Sequence, residues 1–354
     1  MNINKKIIFV IPKYKVGGAE NVMITLANEL SQYDIKIFFV ILSQSKKIKL
    51  NRKINLINLD SKRVINSIFK LNKLINTIKP EICFSTISHT NIALFLASKF
   101  SKHKCKIFLR ESNNIFESIK NKNFLYKMIF MKLLRFSYQN SILLSPSKHL
   151  SNEIKKKFYI KKKVFNLPNP IILKKITKNK KKIYDFINIA SLTDQKDHFT
   201  LLKAFKIALE TNKKLKLVII GEGVLKLRIL EFIKENKLKN NVLLLNYKKN
   251  FLEYVNKSKL FILSSQYEGY PNVLLDAANN LLPIISTNCK YGPSEILFNG
   301  KYGKLFETGN YFKLSKLMLL NHKILKKIPK KYLKMNDLKI IGKKYYDLFF
   351  NKNF

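Results

Sequence analysis

The sequence predicts an α/β protein built from two doubly wound domains. Three observations carry this. Continuous apolar runs of strand length, such as Lys259-Leu-Phe-Ile-Leu-Ser264, stop at polar residues, and a short loop and an apolar-periodic segment follow them; a strand of a parallel sheet, buried on both faces, reads this way. A chain of 354 residues, 46% apolar with sixteen Tyr and twenty-six Phe, is long enough for two cores. A lysine-rich shift in composition at residues 174–182 divides it. The expected organisation is a first domain over 1–167, a linker over 168–182 and a second domain over 183–334.

In the first domain, Ile7–Ile11 reads as a buried strand. It runs into a loop with Gly17, Gly18 and Glu20, and then a helix with Val22, Met23, Leu26, Ala27 and Leu30 on one face. Strand, Gly-rich loop and helix is a phosphate-binding order, although two adjacent glycines alone equally mark a turn. Ile35–Ile41 is a second strand. Val64, Ile68, Leu71, Ile75 and Ile78 mark a helix face that ends before Pro80, and Ile82–Thr86 is a strand with His89 and Asn91 after its end. Taken alone, His89 equally reads as a loop or capping residue. A helix over Asn91–Phe100 leads to the strand Lys106–Arg110, which ends at Arg110-Glu111-Ser112-Asn113. Strand ends on this side line a common cleft in doubly wound folds. Phe124–Gln139 is a basic aromatic helix; core packing accounts for its aromatics and leaves its other side free to face a membrane. Ile142–Leu144 and a helix to Phe158 close the domain, and Leu167-Pro-Asn-Pro170 is a rigid turn.

The second domain opens with the strand Phe186–Ala190 and the loop Ser191-Leu-Thr-Asp-Gln-Lys196. Leu217–Ile220 is followed by Gly221-Glu-Gly223, and Val242–Leu245 leads to Asn246-Tyr247. After the strand at 259–264 a loop carries Glu268, Gly269, Tyr270 and Pro271. Asn272 suits an N-cap, with Val273 next and Asp276 in the first helical turn. Free backbone N–H groups at such a helix start form an anion site. Two acids beside it would repel a phosphate unless each binds something else, and sugar hydroxyls are the natural candidates. The alternative is a surface carboxylate and an Asp that complements the helix dipole.

The stretch Glu268-Gly-Tyr-Pro-Asn-Val-Leu-Leu-Asp276-Ala resembles the C-terminal signature of the family 4 retaining glycosyltransferases, Glu, seven residues, Glu, in a context like E-G-F-P-N-V-L-L-E-A. Asp276 replaces the second Glu and is one methylene shorter. The likeness extends through Gly292-Pro-Ser-Glu-Ile296 and Gly300-Lys-Tyr-Gly303. It implies the GT-B fold, two Rossmann-like domains facing a central cleft, whose last helix, about 335–354, packs back on the first domain. It implies a nucleotide diphosphate sugar as donor, a UDP-sugar foremost, with Glu268 on the sugar hydroxyls and Asp276 on the ribose. Gly17 and Gly18 resemble the family's N-terminal G-G-A-E loop against the donor phosphates. Ser191 to Phe205 resembles G-R-x-x-x-Q-K-x-x-x-x-L-x-x-A-F; Lys196 matches a cation of the pyrophosphate clamp, while Ser191 stands where the family has Arg. Gly221 falls in the family's G-D-G turn, and Tyr247 where it places the nucleobase. Leu281 replaces the Gly of A-C-G-L-P. Family members carry a His in the first domain that bonds the donor sugar; His89 and Arg110-Glu111 both stand open for that place.

The formal charge of +46 is carried almost wholly by Lys, since Arg52, Arg63, Arg110, Arg135 and Arg228 are the only arginines. Nucleic-acid readers favour the guanidinium fork, so the excess reads instead as a solvated lysine surface or as attraction to anionic lipid and to a pyrophosphate-linked acceptor. Cys83, Cys105 and Cys289 form no C-x-x-C, and there is no D-x-D, so neither zinc nor another metal is expected. Met1 leads within a few residues into the first strand, too short for a secretory signal, and no run spans a bilayer. The chain is expected in the cytoplasm, at the inner face of the plasma membrane. The expected reaction is metal-independent hexosyl or N-acetylhexosaminyl transfer to a saccharide or polyprenyl-diphosphate-linked acceptor in surface polysaccharide assembly. Ser191, Asp276 and Leu281 motivate the alternative of a non-catalytic nucleotide-sugar binder, and the charge that of an anionic-polymer binder.

Overall fold

A computed structural model describes residues 5–14, 18–43, 48–173, 181–247 and 251–351. The chain divides into two compact units, Met1–Ile172 with Asn336–Phe354, and Leu173–Met335.

The first unit runs β1 (Lys6–Ile11), α1 (Gly18–Leu30), β2 (Lys36–Ile41), β3 (Asn55–Asn58), α2 (Ser67–Ile78), β4 (Ile82–Thr86), α3 (Ser88–Lys99), β5 (Lys106–Arg110), α4 (Ile115–Ser118), α5 (Phe124–Gln139), β6 (Ile142–Ser145), α6 (Lys148–Phe158) and β7 (Val164–Asn166). The strands pair parallel in the order β3-β2-β1-β4-β5-β6-β7. Central β1 and β4 are buried almost throughout, which their unbroken apolar sequences require. Edge strand β3 is short and largely exposed, and β7 is three residues long and half-buried, so neither carries a comparable apolar run.

The second unit repeats the plan: β8 (Tyr184–Ile189), α7 (His198–Thr211), β9 (Leu217–Ile220), α8 (Lys226–Glu235), β10 (Val242–Leu245), α9 (Phe251–Asn256), β11 (Ser258–Leu263), α10 (Asn272–Asn279), β12 (Ile284–Thr287), α11 (Pro293–Ile296), β13 (Lys304–Phe306), α12 (Tyr311–Met318) and α13 (Lys330–Leu333). Its parallel sheet has the order β10-β9-β8-β11-β12-β13. Both sheets are doubly wound, as the sequence predicts. The strand order reverses between β1 and β4 in one unit and between β8 and β11 in the other. Ligands of open α/β sheets bind outside the strands' carboxyl ends at such reversals.

The last helix, α14 (Leu338–Phe350), belongs to the first unit. Its Ile341, Tyr345 and Phe349 are buried in one cluster with Phe9, Phe84 and Phe108. Where the chain leaves and re-enters this unit its two segments are tied together. Ile171 donates its N–H to Asn336 O at 2.8 Å, Leu338 donates to Ile171 O at 2.9 Å, and Asn336 Nδ2 donates to Asn169 O at 3.0 Å.

One expectation needs correcting. Of the aromatics of α5 only Tyr138 forms core, buried with Leu134 and Ser137, while Phe124, Tyr126 and Phe136 are 80, 44 and 49% exposed. The other faces of this helix have no packed neighbour to fill, because only the strip toward α3 and α6 meets the unit.

Candidate active site

Lys196 and Glu268 come together across the reversal point of the second sheet. β8 and β11 are parallel neighbours, with Leu260 opposite Phe186, so the loops at their carboxyl ends emerge side by side. Those loops are sewn to each other. Gln266 N donates to Gln195 O at 2.8 Å, Gln195 Nε2 to Tyr267 O at 2.9 Å, and Ser264 Oγ to Lys196 O at 2.9 Å. Gln266 Nε2 also bonds Asp197 Oδ2.

Lys196 Nζ donates to Glu268 Oε1 at 2.5 Å, with side-chain exposures of only 18% and 7%. Ser265 Oγ donates to the same oxygen at 2.7 Å, and Ser265 is itself held by Thr287 Oγ1, which donates to its carbonyl at 2.8 Å. Oε2 of Glu268 makes no hydrogen bond among the described residues. One oxygen is anchored twice and the other is left to accept from a hydroxyl. Beside the pair, burial and then the Glu268 charge push the Cys289 thiol up to about 12, against the opposing pull of Thr287 and Lys196. That thiol is neutral and adds no second anion.

Glycines let the surrounding loops close on one another. A Cβ on Gly221 would stand 1.9 Å from Ala190 O, and one on Gly223 would stand 2.3 Å from Leu192 O. Gly292, at φ +87, would place a Cβ 2.5 Å from Pro271 Cδ. The loop after β9 therefore lies on the loop after β8, and the loop after β12 lies on the Gly269–Pro271 turn.

The helix start differs by one residue from the expectation. Pro271 occupies the cap position at φ −73, without a side-chain cap bond, and Asn272 is the first helical residue. The fixed φ of proline suits the extended cap, and its missing N–H leaves no donor unsatisfied. Asp276 consequently lies in the second turn, half-buried, rather than in the first. Tyr270, Asn272 and Val273 are half-buried and Gly269 is buried. Ser191 is exposed at the end of β8, and Tyr247 is half-buried with its ring 5.9 Å from that of Phe251.

In the first unit Gly17 lies outside the described residues, and Gly18 opens α1. His89 stands exposed on the first turn of α3, where partial desolvation lowers its pKa from the ordinary value. It follows Ile87 at φ +74, a genuine outlier for a β-branched residue. Glu111 is buried and accepts from Ser88 Oγ at 2.7 Å, Tyr138 OH at 2.6 Å, Ser112 N at 3.0 Å and Asn113 N at 3.2 Å. Burial raises its pKa more than these bonds lower it. Both oxygens are used, and through Ser88 the carboxylate braces the strained turn beneath His89. Arg110 is fully buried. Its guanidinium bonds Tyr345 OH at 3.3 Å and Asn169 Oδ1, and Nη1 has no partner among the described residues. The second unit thus gathers Lys196, Glu268 and the turn to Asn272. Ser265, Thr287 and Cys289 join this site without any mark in the sequence, being small residues in or after apolar runs.

Among the described residues no group of three or more His, Cys, Asp or Glu side chains is placed to hold a metal, and no helix is long and apolar enough to cross a membrane.

Known proteins share both sequence and fold with this chain. The model of the family described as glycosyl transferases group 1 matches residues 170–335. A protein of Methanocaldococcus jannaschii named only as an uncharacterized glycosyltransferase is 32% identical over 69% of this chain and 67% of its own length. The N-acetylgalactosamine-N,N'-diacetylbacillosaminyl-diphospho-undecaprenol 4-alpha-N-acetylgalactosaminyltransferase of Campylobacter jejuni is 30% identical over 73% of this chain and 72% of its own. Among solved structures, a mutant of Staphylococcus aureus TarM in complex with fondaparinux, alpha-GlcNAc-glycerol and UDP superposes with a TM-score of 0.80 at 15% identity, covering 98% of this chain and 100% of that one. Anabaena HepE in complex with UDP and glucose gives 0.79 at 12% identity, covering 98% and 100%. These are GT-B glycosyltransferases, and the fold of this chain is theirs.

Proposed function

The chain belongs to the glycosyl transferases group 1 family, and from that premise we propose that it moves a sugar, with retention of configuration, from a UDP-sugar to a saccharide acceptor carried on a polyprenyl diphosphate. The setting is surface polysaccharide or glycan assembly at the cytoplasmic face of a membrane. The observation that carries the reading is the Lys196–Glu268 pair with Glu268 Oε2 open. The UDP in TarM and HepE and the diphospho-undecaprenol in the name of the Campylobacter relative support the choice of donor and acceptor.

In this mechanism the second unit holds the donor. Glu268 Oε2 accepts from a sugar hydroxyl, while Lys196 turns from Oε1 to the diphosphate. Lys196 and the backbone N–H groups at the start of α10 meet the charge that develops as the C1–O bond breaks, and this electrostatic stabilisation outweighs anything else such a site offers the transition state. Ser265 keeps the carboxylate oriented as its lysine is drawn away. The acceptor oxygen bonds C1, and its proton passes to the departing phosphate oxygen, so no protein base is required. Asp276 meets the ribose, Tyr247 the base, and Gly221 and Ser191 lie by the diphosphate. The family resemblance assigns the Gly17-Gly18 loop to the donor phosphates and acceptor. In the first unit, the resemblance leaves His89 and Arg110-Glu111 as the candidates for the residue that bonds the donor sugar. No metal takes part, and EDTA is expected to leave the rate unchanged.

The test is thermal stabilisation by nucleotides and nucleotide sugars of the wild type, Lys196→Ala and Glu268→Ala. A ligand at about a hundredfold its Kd adds about 3 kcal/mol of apparent stability. A shift with one UDP-sugar, lost in both variants, is expected. Absence of any shift in a folded wild type would overturn the reading. A normal shift without turnover on any lipid-linked acceptor would favour the non-catalytic binder that Ser191 and Asp276 suggest.

A further inference from the structure

The least expected surface of the molecule is the outward half of α5. At helical spacing Phe124, Leu125, Met128, Ile129, Leu133 and Phe136 share that half, exposed by 80, 61, 38, 48, 36 and 49%. Leu134, Ser137 and Tyr138 on the other half are buried. Contiguous apolar side chains of this size are rare on a surface that meets only water. The charge beside them has one sign. From residue 118 to 139 there is no Asp or Glu, while Lys120, Lys122, Lys127, Lys132 and Arg135 fall within or just before the helix. Lys120, at the margin, has an acid nearby, Glu117 at 3.7 Å. Arg135 lies over the ring of Tyr159, 4.7 Å from its centroid, and Tyr159 is itself 67% exposed, so the surface continues onto the end of α6.

We propose that this face of α5 docks on an anionic lipid bilayer, its apolar side chains entering the boundary between headgroups and acyl chains while the lysines and Arg135 meet lipid phosphates. The composition matches an interfacial helix, with aromatic and aliphatic groups in the layer and lysines that extend past them to the headgroups. Other occupants fit less well. Two copies of the face would bring like charges together. A nucleic-acid groove has no use for Leu, Met and Ile at the contact and favours guanidinium over ammonium, of which α5 has one against two. The proposal deepens the lipid-linked reading above, and its test is independent of turnover.

The experiment is co-flotation of the full chain with vesicles of phosphatidylcholine alone or with one third phosphatidylglycerol, at physiological salt. Binding to the anionic vesicles is expected at least tenfold tighter. The variant Phe124→Ser, Leu125→Ser, Ile129→Ser is expected to lose at least tenfold, and Lys122→Glu with Lys132→Glu to lose as much and to bind no better as salt falls. Both should keep the wild-type stabilisation by a nucleotide sugar, which separates a failure here from a failure of the donor site. The chain has no Trp, so Phe124→Trp supplies a reporter that needs no disruptive change. Its emission should shift to the blue on anionic vesicles, while Phe312→Trp, in the second unit, should not. Equal binding to both vesicle types, an unshifted Phe124→Trp, or wild-type affinity in the triple variant overturns the proposal. A dimer that the triple variant dissolves would instead assign the face to a second copy.

Discussion

His198 opens α7 two residues after Lys196, fully buried, with neither ring nitrogen bonded among the described residues. Burial first, and the Lys196 charge second, lower its pKa from 6.5 to about 4. The folded chain therefore resists a proton that the unfolded chain takes up. Stability at neutral pH is lost as pH falls from about 6.5 to about 4, a loss of roughly 3 kcal/mol for this group. Glu29 and Glu111 act oppositely: burial raises both, so each favours the folded state as pH falls through its raised value. His198→Leu should flatten the acid decline between those limits, read as urea midpoints against pH beside the wild type. Parallel profiles would show that the ring is not the titrating group. Leu281 bears a different cost, one of backbone conformation. It sits at φ +55 after α10, where the resembling family has Gly. A left-handed L-residue costs roughly 1–2 kcal/mol, and a β-branched one more. Leu281→Val should therefore melt below the wild type and Leu281→Asn at or above it, by about 2–4 °C for each kcal/mol in a unit of this size. The reverse order would mean that side-chain packing outweighs the backbone.

At the scale of elements, the site exists because four loops at the carboxyl ends of β8, β9, β11 and β12 lie in contact. Gly221 is its tightest point, since the atom 1.9 Å from a Cβ there is a backbone oxygen of β8's own loop and cannot rotate away. Gly221→Ala should cost about 2–3 kcal/mol by overpacking and remove nucleotide-sugar stabilisation with it. An intact donor shift in that variant would separate the β9 loop from the site. Much of this level was legible from sequence. β4, β5, β9 and β10 span the residues read from sequence, and β9 does so most simply, because a strand buried throughout is one apolar run from end to end. β3 and β7 were not, because a short edge strand that is not fully buried has no such run. Lys196 and Glu268 were legible through their aligned positions; in a chain with 68 Lys and Arg, one lysine is silent by itself. Ser265 and Thr287 were invisible: Ser265 reaches Glu268 inside its own loop, and only the pairing of β11 with β12 brings Thr287 to Ser265. Periodicity gave α5 its helix without saying that most of its apolar half stays exposed, with Phe136 reaching a neighbour, the ring of Phe95 at 5.4 Å.

The whole molecule carries a charge that local pairing cannot neutralise. With 68 Lys and Arg against 22 Asp and Glu, pairing every acid would still leave 68 − 22 = 46 cations without a partner. Surface ion pairs contribute about 0–1 kcal/mol each, and such a chain has few to lose, whereas self-repulsion of the uncompensated lysines opposes the compact state. Repulsion between exposed charges is screened once they stand farther apart than the Debye length, about 10 Å at 0.1 M salt. Raising sodium chloride from low to moderate concentration should therefore raise the melting temperature by several degrees, measured without ligand to avoid linkage. The Lys196–Glu268 pair should follow a different rule, because its side chains are 18% and 7% exposed and little salt reaches them. The loss of donor stabilisation in Lys196→Ala should then persist at a salt concentration that has already saturated the gain in melting temperature. If salt instead lowers the melting temperature, pairing and not repulsion governs the surface. If salt restores donor binding to the variant, the site's electrostatics are those of the solvated lysines around it.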